Sequence, residues 1–258
     1  MPLACLCLAQ AGLTGASRDG AGGADQGLRQ AFERARYSLR DAGHGTWQGV
    51  NAAQRLTLEF NPRETRLTHP DGSVTFHLTG FGYGDRLHQP APARVTGSGN
   101  RVEFLRGDLA EWYVNGPQGL EQGFTLVQRP ATDQDGEPLV IALGVSGGLL
   151  PAQKTGGGPV LFASDHGVVL RYAGLKAVDA RGRVLPSRLA VRDREIRLLV
   201  EDRDARYPLV VDPAWTQQQE LTASDGQAGD RFGYSVAVNA NTAVVGAYCK
   251  GGCHGAAY

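Results

Sequence analysis

Apolar and polar residues alternate along short stretches of this 258-residue chain. An apolar side chain at every second position places all apolar side chains of a strand on one face of a sheet. Turn-forming pairs such as Asn61-Pro62 and Asp71-Gly72 separate the stretches. Short strands divided by turns are typical of a sandwich or barrel, so the pattern predicts a mainly β fold with a β-sandwich-like module. The clearest examples are residues 56–60, 74–78, 102–104 and 189–191.

Residues 139–145 break the alternation because nearly all of them are apolar. A continuous apolar run of this length predicts a central strand that is buried on both faces. Residues 196–200 and 209–211 are expected to complete the sheet. The run at residues 207–213 reads as a final strand ended by Pro213, because proline cannot donate to the ladder. We therefore predict a β-rich module over residues 28–213.

A helical pattern precedes the strands. Leu28, Phe32, Ala35 and Leu39 follow each other at steps of four, three and four residues, which is the spacing of one helix face. The sequence therefore predicts one short amphipathic helix within residues 28–40. Alternatively, residues 37–39 already belong to the first strand.

The first 27 residues carry two different signals. Residues 3–9 are apolar, but no basic residue precedes them, so residues 1–11 are either a degenerate signal peptide or an unstructured tail. Residues 12–27 are rich in Gly and polar residues and have too little apolar surface to fold. We predict a leader and flexible linker over residues 1–27. No later apolar run approaches the roughly 18 residues of a membrane span, so none is expected.

Composition narrows the class of protein. Lys plus Arg equal Asp plus Glu at 26 residues each, so no net positive charge would attract nucleic acid. The 36 Gly residues and single Met suit a protein of many turns better than a helical bundle. A nucleic-acid partner is therefore not expected.

The last forty-odd residues form a repeat-like unit. Two apolar runs, residues 235–238 and 243–245, are joined by the turn-prone residues 239–242, which predicts a hairpin. Phe232-Gly233 enters the first run, and Gly246-Ala247 leaves the second.

This unit resembles the FG-GAP repeat of integrin α-subunit propellers, and more closely its calcium-free bacterial version, which opens on a phrase like residues 221–226. The resemblance implies that residues 214–258 are an incomplete β-propeller blade from a longer protein. Its structural motif positions would be Phe232, Gly233, Gly246 and Ala247. Residues 28–213 resemble the β-rich module that precedes such repeats in large bacterial surface proteins. The stretches that carry this second resemblance are residues 100–104, 111–115, 119–124, 170–175 and 207–213.

The resemblance includes one departure. Integrin-type repeats join their strands by an Asp-rich calcium loop, because a hard cation needs several oxygen ligands. Residues 239–242 contain no carboxylate, so we expect neither a metal site nor a cofactor. Asp225 and Asp230 are expected to accept backbone hydrogen bonds within the turn beside the hairpin.

Cysteines lie only at the two ends of the chain, at positions 5, 7, 249 and 253. Cys249 and Cys253 would form a small disulfide loop in an oxidising compartment. The alternatives are two free thiols, or half of a metal site together with His254.

Candidates for chemistry are few. The compact acidic groups are Asp108 with Glu111, and the acidic residues of 133–137, which we interpret as a solvated hairpin tip. Trp112 and Tyr113 are either a sugar-stacking platform or core, and residues 81–85 are either a ligand loop or a strand with a bend. No two of the histidines stand at a metal-ligand spacing, and there is no Gly-x-Ser-x-Gly motif. The histidines are His44, His69, His77, His88, His166 and His254.

No catalytic residue is therefore predicted. We expect a non-enzymatic extracellular or cell-surface scaffold that acts in protein interaction or adhesion through a β-propeller. The alternative is a secreted carbohydrate-binding or carbohydrate-active protein. The partner would be a protein in the first case and a glycan in the second.

Overall fold

A computed structural model of the protein describes residues 35–131, 136–165, 167–217, 223, 225–239, 242–250 and 254–258. Strands dominate this part of the chain, and its helical structure is limited to short turns such as Ala52–Gln54. The prediction of a mainly β chain is confirmed.

The strands are, in chain order, β1 (Arg40–Gly43), β2 (Thr46–Asn51), β3 (Leu56–Phe60), β4 (Thr65–His69), β5 (Gly72–Tyr83), β6 (Arg86–His88), β7 (Arg94–Ser98), β8 (Arg101–Arg106), β9 (Leu109–Gly116), β10 (Gly119–Leu126), β11 (Leu139–Gly147), β12 (Leu150–Ala152), β13 (Val160–Ser164), β14 (Gly167–Val178), β15 (Val184–Leu185), β16 (Ser187–Arg192), β17 (Glu195–Val200), β18 (Leu209–Gln217), β19 (Phe232–Asn239), β20 (Thr242–Ala247) and β21 (Ala256–Ala257).

These strands form two large open sheets and one small sheet. The first large sheet has the order β1-β2-β3-β4-β5-β11-β17-β16, and β6 adds to β5. The second has the order β12-β13-β14-β18-β10-β9-β8-β7, and β15 adds to β14. The third sheet contains β19, β20 and β21.

The two large sheets share one hydrophobic core. Alternation is clear in β3 and β4, where every second side chain is buried. Phe60 and Phe76 of the first sheet contact Tyr113 of the second, with ring centroids 5.0 Å and 6.1 Å apart. Such aromatic pairs add about 1 kcal/mol each to the free energy of burial. The inward faces therefore pack on each other as a sandwich.

The central apolar run behaves as predicted. β11 pairs with β5 on one side and with β17 on the other. Ile141 and Ala142 point to opposite faces of the sheet, yet neither side chain is exposed. This confirms a central strand buried on both faces.

The helix prediction stays open, and one prediction about a strand end is wrong. Most of the predicted helix within residues 28–40 lies outside the described residues; Ala35 and Arg36 are helical, and β1 begins at Arg40. Residues 37–39, the alternative start of the first strand, lie outside β1, and the Leu39 N–H donates to Gly99 O (2.7 Å). At the other end, β18 continues past Pro213 to Gln217. Pro213 faces the irregular pairing between β14 and β18, where no N–H donor is required.

A buried asparagine joins the two sheets. The Asn115 side chain is fully buried on β9, and its Nδ2 donates to Tyr37 O and Val50 O, both at 3.0 Å. Asn51 on β2 donates through Nδ2 to Asn115 Oδ1 (2.8 Å) and to Gly116 O (2.8 Å). Each amide thus satisfies polar groups of the opposite sheet, which fixes how the sheets meet at this point.

A second buried network lies among the aromatic residues of the core. Tyr113 Oη donates to Glu111 Oε1 (2.6 Å), and Gln122 Nε2 donates to the same oxygen (3.1 Å). Tyr172 on β14 reaches across β18 and donates to Gln122 Oε1 (2.9 Å). Burial raises the pKa of the Glu111 carboxyl, while these hydrogen bonds and Arg106 act in the opposite direction. The network links β9, β10 and β14 inside the sandwich.

Substitution of Asn115 by Ala should lower the free energy of unfolding by about 3 kcal/mol, because two backbone carbonyls lose their side-chain donor and the buried Asn51 amide loses one of its two acceptors. Urea denaturation would measure this loss. Asn100→Ala is the matched control, since Asn100 makes one part-buried bond, from Nδ2 to Asn115 O (2.7 Å). That control should lose only about 1 kcal/mol. Equal losses in the two variants would contradict the role of Asn115.

Candidate functional site

The third sheet contains the hairpin expected from the C-terminal pattern. β19 and β20 are antiparallel, with Val236 opposite Val245 and Asn239 opposite Thr242. β21 pairs with the other edge of β20. The predicted hairpin is confirmed, with longer strands than expected. Its tip, residues 240 and 241, lies outside the described residues.

The four predicted motif residues meet at the base of this hairpin. Phe232 lies opposite Ala247, and the pairing then shifts by irregular register before Ser235. Gly233 lies within that irregularity at a φ of 88°, which favours glycine. A Cβ on Gly246 would overlap Ser235 Oγ, so a larger residue here would force the Ser235 side chain to move. The motif therefore has a local structural reason in the shape of the hairpin.

Lys250 follows the hairpin and binds the loop that precedes it. Lys250 Nζ lies 3.0 Å from Asp225 Oδ1 and 3.4 Å from Asp230 Oδ2. Tyr258 Oη donates to Asp225 Oδ1 (2.6 Å), and this bond and Lys250 lower the pKa of Asp225. The roles of Lys250 and Tyr258 were not predicted from the sequence, because nothing local marks residues that contact Asp225 from 25 or more positions away.

The two aspartates differ in their roles. Asp230 Oδ2 accepts from the Gln227 N–H (2.8 Å), as predicted for a turn residue. Asp225 binds the side chains of Tyr258 and Lys250, so the expectation of a backbone role was incomplete for this residue. The carboxylates face an ammonium group. Among the described residues, no group of three or more His, Cys, Asp or Glu side chains is arranged to hold a metal ion.

The cysteine prediction remains open. Cys249 is half-buried, and its N–H donates to Asp230 O (3.2 Å). Its proposed partner Cys253 lies outside the described residues. The disulfide therefore stays a prediction.

Aromatic side chains are exposed on the third sheet. Tyr234 is 71% exposed and Tyr248 is 41% exposed, with their ring centroids 4.4 Å apart. The Arg231 guanidinium lies 5.3 Å from the Tyr248 ring centroid. Tyr and Arg at a solvent-exposed position are the residue types enriched in protein interfaces. We call Arg231, Tyr234 and Tyr248 the aromatic patch.

The second large sheet carries a cavity with two carboxyl groups in its lining. This acidic cleft, of about 500 Å³, is lined by Glu121 and Asp212 together with the amides of Asn100 and Gln118. The Glu121 carboxyl lies beside that of Asp212 and favours its protonated form. Burial, and then the charge of Glu121, raise the pKa of Asp212 to about 7. This pair was not predicted from the sequence, because its members lie on different strands, β10 and β18.

The aromatic candidates of the sandwich belong to the fold. Trp112 is 9% exposed, and the Arg101 guanidinium lies 4.5 Å from its ring centroid. A Cβ on Gly123 would overlap the Trp112 indole, so the ring packs directly against this glycine. Tyr113 is fully buried. The sugar-stacking hypothesis for this pair is therefore wrong, because no ring face is open.

The remaining candidates do not form a site either. Glu111 is inside the core, whereas Asp108 lies in an exposed turn and accepts from Gln128 Nε2 (2.7 Å). Residues 81–83 continue β5, and Gly82 lets the backbone of Arg86 approach closely, which confirms the interpretation as strand and bend. The acidic tip at residues 132–135 lies outside the described residues.

Comparisons with known proteins agree with the C-terminal pattern. Residues 215–258 match the family model described as FG-GAP repeat. No curated protein and no solved structure matches the chain. The FG-GAP resemblance is thus confirmed for this segment, while the resemblance of residues 28–213 to a preceding module stays a prediction. The described part of the chain contains no helix that is long and apolar enough to cross a membrane.

The acidic cleft should make stability depend on pH. In the folded state Asp212 has a pKa of about 7, above the value of about 3.9 in an unfolded chain, so the folded state binds the proton more tightly. Its contribution is complete below pH ~4 and is lost as the pH rises through ~7. Between about pH 5 and pH 7, urea denaturation should therefore show a free energy of unfolding that falls with rising pH, and Asp212→Asn should flatten this slope.

Asp85→Asn is the control for this measurement. Arg197 and Arg192 lower the pKa of the exposed Asp85, so its proton equilibrium lies outside that pH range. The control should keep the wild-type slope. An unchanged slope in Asp212→Asn would contradict the raised pKa of Asp212.

The third sheet should be held less firmly than the sandwich, because the buried apolar side chains described there are few, such as Val245 and Ala247. Hydrogen exchange should be faster in β19–β21 than in β11. Lys250→Met should accelerate exchange at the paired amides of Val245 and Tyr258 by about fivefold, since it removes surface ion pairs. Lys154→Met, in an exposed turn of the sandwich, should have no effect there. Exchange as slow as in β11 would overturn this prediction.

Proposed function

We propose that this protein is a non-enzymatic scaffold of the cell surface or extracellular space, and that its FG-GAP repeat belongs to a β-propeller that binds a protein partner. The carrying observation is the FG-GAP match over residues 215–258, which coincides with the antiparallel sheet β19–β21. The sandwich of β1–β18 serves as a rigid module beside it. Recognition is assigned to exposed side chains on this framework.

The aromatic patch supports a protein partner. Tyr234 and Tyr248 present apolar rings and hydroxyl groups at low entropic cost, because each side chain has few rotatable bonds. Arg231 stacks on Tyr248 and adds a charged donor. Tyr and Arg together are the side chains that most often dominate binding energy at protein interfaces.

Carbohydrate binding has less support. The exposed aromatic ring that a sugar platform needs is absent at Trp112, which Arg101 and Gly123 cover. A glycan array on the purified chain tests this alternative directly. A specific glycan signal that Tyr234→Ala leaves intact would favour the carbohydrate function over the one proposed.

Site-specific photocrosslinking on intact producing cells tests the proposed function. A photoreactive residue at Tyr234 should give a discrete crosslinked protein product, and Tyr248→Ala should reduce it by about tenfold, because truncation of a central aromatic costs ~1–2 kcal/mol. Val184, which is 59% exposed on β15, is the control position. It should give no such product.

Two results would contradict the proposal. One is the same crosslinking pattern at Tyr234 and Val184. The other is labelling of the protein by antibody only after cells have been permeabilised, which would place it inside the cell.

A further inference from the structure

A second cleft opens at the seam between the two large sheets. There β14 of the second sheet runs past β16, the edge strand of the first. The cleft has a volume of about 450 Å³. Arg171 on β14 and Arg188 on β16 line it, so each sheet contributes one guanidinium group. We call this cavity the arginine cleft.

The two arginines are the only ionisable residues among the described residues that line the arginine cleft. Ser187 supplies a hydroxyl group, and the remaining side chains of the lining, such as Leu175 and Leu189, are apolar. Both side chains are exposed, and among the described residues neither guanidinium group forms an ion pair with a carboxylate. Within the described lining, the cleft therefore collects positive charge with no acidic side chain to balance it.

Neighbouring arginines of the first sheet show the contrast. Arg192 and Arg197 share the carboxylate of Asp85, at 2.9 Å and 2.7 Å. Two guanidinium groups in one cavity repel each other unless an anion lies between them. Their planar donors match the oxygens of carboxylate, sulfate and phosphate groups. Arg171 and Arg188 thus have the chemistry of the pair at Asp85 but lack its anion.

One side chain holds the walls of the cleft in place. Gln153 Nε2 donates to Gly158 O (2.8 Å) and to Leu189 O (3.0 Å). Both Gly158 and Leu189 line the cleft. The same amide therefore fixes the loop wall and the strand wall relative to each other, so the cleft needs little rearrangement to receive a ligand.

Two residues that line the cleft, Gly158 and Gly174, are glycines. Gly158 has a φ of 102°, and nothing lies within 4 Å of the position that a Cβ would take. Gly174, with a φ of 74°, lies in the bulge of β14 and is similarly open. Bulges and open glycines let a ligand approach the main chain closely. The space beside the two arginines is therefore accessible.

We propose that the arginine cleft binds an oxyanion, the carboxylate, sulfate or phosphate group of a small ligand, between the guanidinium groups of Arg171 and Arg188. Ser187 donates a further hydrogen bond to it, and the apolar lining contacts the body of the ligand. This site lies in the sandwich and does not include the aromatic patch, so its test is independent of the proposed propeller function.

An NMR titration of the full chain tests the proposal with three probes: inorganic sulfate, inorganic phosphate and succinate, each at constant ionic strength set with chloride. The backbone amides of Gly174 and Leu189 report on the cleft. At least one probe should give saturable shifts at these amides. The relative affinities of the three distinguish a tetrahedral anion from a carboxylate.

Variants then assign the shifts to the two side chains. Arg171→Ala and Arg188→Ala should each weaken binding about tenfold, because charge-assisted hydrogen bonds are lost. Arg188→Lys, which keeps the charge without the planar fork, should weaken it about threefold. Arg63→Ala, exposed and outside the cleft, is the matched control and should bind as the wild type does.

The folded state should survive these changes, because both arginine side chains are exposed, and thermal unfolding checks this. Absence of saturable shifts with all three probes up to about 20 mM would overturn the proposal, because this concentration exceeds the dissociation constants expected for weakly bound single anions. Equal weakening by Arg63→Ala would overturn it as well, since binding would then follow overall charge.

Discussion

Two open sheets of nine strands stay together only if the faces between them exclude water and the polar groups trapped there find partners. Tyr113 shows how one side chain meets both requirements. Its ring packs against Phe60 and Phe76 of the opposite sheet, while its hydroxyl group donates to the buried Glu111. An unpaired carboxyl at this depth would cost several kcal/mol, so the hydrogen bonds from Tyr113 and Gln122 are a condition for the sheets to pack.

The same requirement explains the positions of the clefts. The inward-facing side chains pack in the core, so most charged groups lie on the outer faces and at the seam between the sheets. Arg171 and Arg188 line one cavity because β14 passes the edge of the other sheet, and Gln153 bonds Leu189 there. Glu121 and Asp212 meet because β18 inserts between β14 and β10. Sheet order, which is set by the core, thereby decides which charges become neighbours.

Local sequence patterns predicted much of the fold. The period of two in residues 56–60 and the continuous run at 139–145 depend on the burial of a strand's own faces, so they can be read from neighbouring residues. The hairpin of β19 and β20 is local in the same sense, as is its match to the FG-GAP repeat. The end of β18 could not be read this way, because the tolerance for Pro213 comes from the bulge in β14, about 40 residues earlier.

The candidate sites were the least predictable part, and the reason is again sequence separation. Trp112 looked like a binding residue because its covering partners, Arg101 and Gly123, lie on the two neighbouring strands. Lys250 showed no signal of its own, because its carboxylate partner Asp225 lies in the loop before the hairpin. The type of a residue predicts which interactions its side chain can form. The strand order determines whether the partner of that side chain is another group of the protein or a ligand. At Asp85 the two arginines already have their carboxylate, and at Arg171 and Arg188 that place is left to an anion from solution.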